Sequence, residues 1–184
     1  SRVSRFLIAA GGTGGHLAPG IALAEALRER GHETLILISR KQVDARLGAR
    51  YPTIRFAALP GAGLGVSPVA LARFVGSQVR ALAFCHGVFR REAPDAVVGF
   101  GGFTSAPAML IARLRGLPCA LHESNRVPGR AVRLLGRWAR RVYLPPGVSL
   151  SGLDSAVARA AAMPVRREIQ RLPRAAGRAR WGFE

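Results

Sequence analysis

The 184-residue sequence predicts an α/β fold, a Rossmann-like doubly wound parallel sheet, from three observations. Short apolar runs alternate with helical patterns along the chain, which is the order of repeated βαβ units. The runs LIAA, LILIS and AVVGF are almost continuously apolar, as strands covered on both faces are. The glycine-rich and polar stretches follow strands rather than precede them. Right-handed crossovers gather such stretches at one edge of a sheet, where ligands bind in these folds.

Taken in order, residues 4–10 predict the first strand. Their apolar stretch is too short for a secretory leader, despite the basic flank SRVSR. A helix is expected over 19–30, with Pro19 in its first turn, where a missing N–H costs nothing, and Gly31 closing it. Strands are expected at 33–39, 55–59, 96–100, 119–123 and 141–144. Helices are expected at 41–47, 68–91, 105–115 and 130–140, the fourth ended by Gly116-Leu117-Pro118. Beyond Pro146 the pattern weakens to a loop, one short strand and a helix, and the tail RLPRAAGRARWGFE is basic. No repeat recurs at a fixed period.

Composition narrows the function classes. Apolar residues make up 49% and charged residues 21%, a globular rather than disordered balance on a chain long enough for one sizeable core. No apolar run approaches the roughly 20 residues of a spanning helix. Cys85 and Cys119 lie in apolar contexts without metal-ligand spacing, so buried inert thiols are expected and no metal site or cofactor is. The 28 Lys and Arg residues against 10 acids give a net charge of +18, with Lys41 the only lysine. A GC-rich genome produces such arginine bias. Physically it still favours phosphates, anionic lipid surfaces or nucleic acid.

Four stretches carry the chemistry. GGTGGH at 11–16 sets four glycines around Thr13 directly after the first strand, more than a tight turn requires. It spells neither the dinucleotide fingerprint nor a P-loop. What it offers is backbone amides at a helix N-terminus, suited to an anion such as a pyrophosphate. His16 can take a proton near neutral pH or simply bond to backbone at a helix start. GFGGFTSAP repeats the arrangement after the fourth strand, with Gly99, Gly101 and Gly102 before Thr104 and Ser105, so two glycine-rich walls face one crevice. HESN, His122 to Asn125, adds imidazole, carboxylate, hydroxyl and amide at the same edge. Finally, the helix from Pro68 packs on the sheet in part. Its start, with Val69, Arg73 and Phe74, suits a membrane-facing patch with an arginine rim.

With these stretches in hand, the chain resembles the N-terminal domain of the MurG family of GT-B glycosyltransferases, glycosyltransferase family 28. The resemblance rests on GGTGGHLAPGIALAEAL, GFGGFTSAP, HESNRVPGR and MPVRREI in the family's order and spacing, from about residue 6 to residue 169. It implies the acceptor-binding half of an inverting enzyme that moves N-acetylglucosamine from UDP-GlcNAc to the 4-hydroxyl of lipid I, undecaprenyl-pyrophosphoryl-MurNAc-pentapeptide, making lipid II for peptidoglycan. It further implies a peripheral position on the cytoplasmic face of the bacterial inner membrane, and no cofactor.

Carried over by motif, His16 is the candidate base, with Glu123 a possible assistant. Thr13, Gly14, Gly15, Asn125 and Arg166 are donor contacts. Gly101, Gly102, Thr104 and Ser105 line the acceptor diphosphate site. Residues 1–166 are then the acceptor domain, and the basic stretch 167–184 leads toward a donor-binding domain that these residues do not contain, so the chain alone is expected to be inactive. The family has Gly-Asn before Pro-Val-Arg, where this chain has Ala162-Met163.

Three other readings stay open at this level. One is the acceptor subunit of a split lipid-linked sugar transferase. Another is an NADP-binding oxidoreductase domain with Arg40 on the 2′-phosphate, although the fingerprint spacing is missing. The third is a nucleic-acid module prompted by the charge. Scattered arginines without an aromatic platform point away from any specific nucleic acid.

Overall fold

The computed structural model describes residues 2–11, 14–40, 45–61, 67–102, 104–167 and 169. Its strands are β1 (Arg5–Ala9), β2 (Glu33–Ser39), β3 (Arg55–Leu59), β4 (Ala96–Gly99), β5 (Cys119–His122), β6 (Arg141–Leu144) and β7 (Ala158–Ala160). Among the described residues they form one seven-stranded parallel sheet in the order β3-β2-β1-β4-β5-β6-β7. The doubly wound topology expected from the sequence is the one observed. Its order reverses between β1 and β4, which pair directly from Phe6↔Ala96 to Ala9↔Gly99. A crevice opens at such a reversal, outside the carboxyl ends of the two strands.

Alternation along each strand divides the apolar side chains between two faces. Leu7, Leu37, Val97, Leu121 and Val142 turn to one face, under α3 (Pro68–Glu92), α4 (Ser105–Leu114) and α5 (Arg130–Leu135). Ile8, Ile36 and Ile38 turn to the other, under α1 (Gly14–Glu29), with Tyr51 and Ile54 beyond α2 (Ala45–Arg50). LILI, residues 35–38, is thus apolar throughout because both of its faces are covered. Cys85 and Cys119 are buried free thiols, and burial pushes Cys85 up to about 12, so it is inert near neutral pH.

Three helices differ from the sequence reading by more than a residue or two, and one expected helix does not form among residues 161–167. α1 begins at Gly14, so Pro19 lies inside the helix rather than in its first turn. The proline removes one bond, to the carbonyl four residues back. Packing compensates, because Leu17 and Ile21 join the second core and Gly20 meets Ala10 so closely that a Cβ there would stand 2.6 Å from the Ala10 Cβ. α2 falls at 45–50 instead of 41–47, and residues 41–44 lie outside the described set. α5 stops at Leu135, and a 3₁₀ turn over Gly136–Trp138 tightens the chain into β6. The short strand expected after Pro146 is β7. The helix expected after it is not formed by residues 161–167, and 170–184 lie outside the described residues.

The 25-residue α3 has two halves of different character. The Ser67 Oγ accepts from the Ala70 N–H at 3.1 Å, and Pro68 takes the first position. Ala81, Cys85, Val88 and Phe89 bury the C-terminal half against the sheet, where the Arg55 guanidinium holds Glu92 through two bonds of 2.8 and 2.9 Å. The first half presents Val69, Leu71, Val75 and Val79 at 50–62% exposure. Phe89→Ala should therefore cost about 3–5 kcal/mol in urea unfolding, and Val75→Ala no more than about 0.5 kcal/mol. Equal costs would contradict this division of α3.

Candidate functional site

The two glycine-rich loops meet at the β1–β4 reversal. Gly11 follows β1 so closely against the second loop that a Cβ there would stand 2.7 Å from the Thr104 Cγ2. The Thr104 hydroxyl donates to the Gly11 carbonyl at 2.7 Å, locking one loop to the other. Gly101 and Gly102 adopt φ of +87° and +70°, a left-handed pair that side chains resist and that turns the chain sharply into α4. The N-termini of α1 and α4 both open at this edge, adding the positive ends of two helix dipoles to the site.

His16, in the first turn of α1, sits half-buried across the crevice. Its Nε2 lies 3.6 Å from where a Gly101 Cβ would be, and its Cε1 3.7 Å from that of Gly102. Burial lowers its proton affinity below the ordinary histidine value. The Glu123 carboxylate and a hydrogen bond with the Gly11 backbone act in the opposite direction. The ring is therefore neutral at pH 7, the state in which it can accept a proton.

The HESN loop is organised from inside by Glu123, which is 2% exposed. One carboxylate oxygen accepts from the Asn125 N–H at 2.8 Å and from the Asn125 side-chain amide at 2.9 Å. The other accepts from the Gly129 N–H at 2.8 Å. With both oxygens occupied, Glu123 shapes the loop and acts on His16 through its charge. Asn125 stands exposed beside it, with its side-chain oxygen turned from the carboxylate.

Some residues expected at the site lie elsewhere. Ser105 is fully buried, and its hydroxyl donates to the Gly101 carbonyl at 2.7 Å, so it braces the loop instead of lining it. The Thr104 hydroxyl is likewise spent on Gly11. Arg166 donates to the Tyr51 hydroxyl at 2.8 Å, while the following N–H, of Arg167, reaches Glu25 at 3.2 Å. Glu25 is nine residues beyond His16, about 13 Å along α1, so Arg166 is not gathered with the loops. Thr13 lies outside the described residues; Gly14 and Gly15 head α1. Val69, Arg73 and Phe74 open α3 after β3, at the same edge as the loops, with Arg73 exposed and Phe74 half-buried.

Sequence reasoning placed the His122 imidazole at this edge without giving it a role of its own; it is 5% exposed with its ring against Phe100 at 5.3 Å, and the Tyr51–Arg166 bond was missed. Among the described residues, no group of three His, Cys, Asp or Glu side chains is placed to hold a metal ion.

A doubly wound α/β domain that brings two glycine-rich loops and two helix N-termini to its reversal point has an arrangement suited to an anion. The chain belongs to glycosyltransferase family 28: residues 6–144 match the family's N-terminal domain. It is 58% identical over 181 residues to the UDP-N-acetylglucosamine--N-acetylmuramyl-(pentapeptide) pyrophosphoryl-undecaprenol N-acetylglucosamine transferase of Opitutus terrae, covering 98% of this chain and 48% of that protein. It is 39% identical to the enzyme of the same name from Bordetella petrii, over 94% of this chain and 47% of that protein. Acinetobacter baumannii MurG superposes with a TM-score of 0.71 at 26% identity, over 89% of this chain and 47% of that one. A kitacinnamycin glycosyltransferase shares the fold, with a TM-score of 0.67 at 13% identity. The chain spans about half the length of these curated relatives.

The electrostatics can be read by NMR. His16 and His122 should both titrate with midpoints below about 6.5, because burial penalises their charged forms. The unfolded chain then binds protons first as pH falls, so stability is lost as pH drops through 6.5 and below. Glu123→Gln should lower the His16 midpoint further, since the carboxylate raises it. An upward shift would contradict the charge coupling.

Proposed function

We propose that the chain is the acceptor-binding half of an inverting N-acetylglucosaminyltransferase that uses UDP-GlcNAc as donor and lipid I as acceptor, and that a donor-binding domain must complete it. The single observation carrying this reading is the convergence of both glycine loops, both helix N-termini and His16 on the β1–β4 crevice. In this mechanism the backbone around Gly101 and Gly102 and the N-terminus of α4 hold the acceptor pyrophosphate. His16 takes the proton from the acceptor 4-hydroxyl as its oxygen attacks C1 of the sugar. The bond from C1 to the UDP oxygen breaks, and UDP leaves with the electron pair. Thr13, Gly14, Gly15 and Asn125 face the donor across the cleft. Glu123 raises the proton affinity of His16 through its charge. Arg166, bound to Tyr51, is assigned no donor contact here.

The membrane belongs to the same proposal. The outward face of the first half of α3, with Val69, Leu71, Val75 and Val79 beside Arg73 and Arg80, inserts shallowly into an anionic surface on the cytoplasmic side of the inner membrane. Among the described residues no helix is long and apolar enough to cross a membrane.

Joined to a donor-binding domain of a family relative, the chain should transfer N-acetylglucosamine. His16→Ala should lower that rate about 10²–10⁴-fold. Activity should fall as pH drops through the lowered His16 midpoint, because the base is lost on protonation. The chain alone should show no transfer, and robust activity without a second domain would overturn the reading. Arg73→Glu with Phe74→Ser should reduce co-flotation with anionic vesicles; unchanged flotation would remove α3 from the account.

A further inference from the structure

Residues 161–167 leave β7 and run over the face of the sheet that carries α1, without regular structure of their own. A segment of that kind is ordinarily a loose connection. This one is tied down along its length. The Ala161 N–H donates to the Leu144 carbonyl at 2.8 Å, continuing the ladder one step past β7. The Arg166 guanidinium donates to the Tyr51 hydroxyl, the Arg167 N–H donates to Glu25, and the Arg167 side chain pairs with Glu29. Ala161, Ala162 and Pro164 wall an apolar groove of about 400 Å³ shared with Leu23 and Leu27 of α1 and with Phe100, His122 and Tyr143.

His122 stands where this segment meets the site. Its Nε2 lies 3.4 Å from the Ala162 carbonyl, and its Nδ1 is buried with no hydrogen-bond partner among the described residues. Facing a carbonyl, Nε2 must be the protonated nitrogen, so the ring is the Nε2–H tautomer and the Ala162 carbonyl is its one polar tie. The same ring packs on Phe100, the residue before Gly101, and its backbone continues into Glu123, which shapes HESN. Arg140, Arg141 and Tyr143 line the same groove, and Glu123 is the carboxylate beside the ring.

We propose that His122 is a positioning residue that latches segment 161–167 to the carboxyl ends of β4 and β5, so that the course of this segment over the α1 face is tied to the glycine loop and HESN. This goes beyond the proposed transfer reaction and stands without it. If the transferase reading fails, the latch is still present in the fold. If the latch fails, the acceptor crevice is untouched.

Amide hydrogen exchange on the full 184-residue chain tests it. His122→Phe keeps the packing on Phe100 and removes the donor. The Ala161 and Arg167 amides should then exchange about tenfold faster, while Ile8 and Leu37 in the central strands stay unchanged. His122→Gln, which returns a donor near the Nε2 position, should restore most of the protection. Independently of any variant, ¹⁵N shifts of the unmutated ring should report the Nε2–H tautomer. Unchanged exchange at Ala161 and Arg167, an equal rise at Ile8 and Leu37, no rescue by glutamine, or an Nδ1–H ring would each overturn the latch.

Discussion

The parallel pairing of β1 with β4 is the constraint on which the site depends. Those strands are far apart in the chain, yet Ala9 lies beside Gly99, so the loops that follow them leave the sheet side by side. Every other contact at the crevice follows from that adjacency. Gly11 has no side chain because Thr104 occupies the space where one would go, and the Thr104 hydroxyl closes the gap by bonding to the Gly11 carbonyl. His16, in the first turn of α1, then reaches the second loop.

A division of labour runs through the polar groups of this edge. The hydroxyls of Thr104 and Ser105 and both oxygens of Glu123 satisfy the protein's own backbone. Buried polar atoms left unpaired would be costly, so these side chains are committed to structure. The N-terminal ends of two helix dipoles and the half-buried His16 imidazole meet at the crevice. Fixed dipoles of this kind suit the diphosphate that the proposed acceptor role requires. The exposed, apolar start of α3 lies at the same edge of the sheet as the crevice.

Much of this was legible in the sequence. The strands 33–39, 55–59 and 141–144 were readable to the residue, each an apolar run opened by a charged residue. The two glycine loops were legible because few other local needs explain so many small residues after a strand. Less legible was whatever depends on who a side chain's partner is. Pro19 reads as a helix start, yet packing of Gly20 on Ala10 carries the helix through it. Ser105 reads as a ligand hydroxyl, and only the fold reveals that the Gly101 carbonyl already holds it. By resemblance Arg166 is expected to be a donor contact, and its tie to Tyr51, 115 residues away, has no signature in the chain.

The central claim is that backbone amides at the β1–β4 crevice grip a pyrophosphate. Chemical-shift mapping of the ¹⁵N-labelled chain, titrated with a water-soluble short-chain analogue of the lipid-linked acceptor, addresses it most directly. The account predicts saturable shifts concentrated at Gly11, Gly14 to His16 and Gly99 to Ser105, abolished when the analogue carries no pyrophosphate. Shifts spread over the exposed arginines, or indifferent to the pyrophosphate, would contradict it.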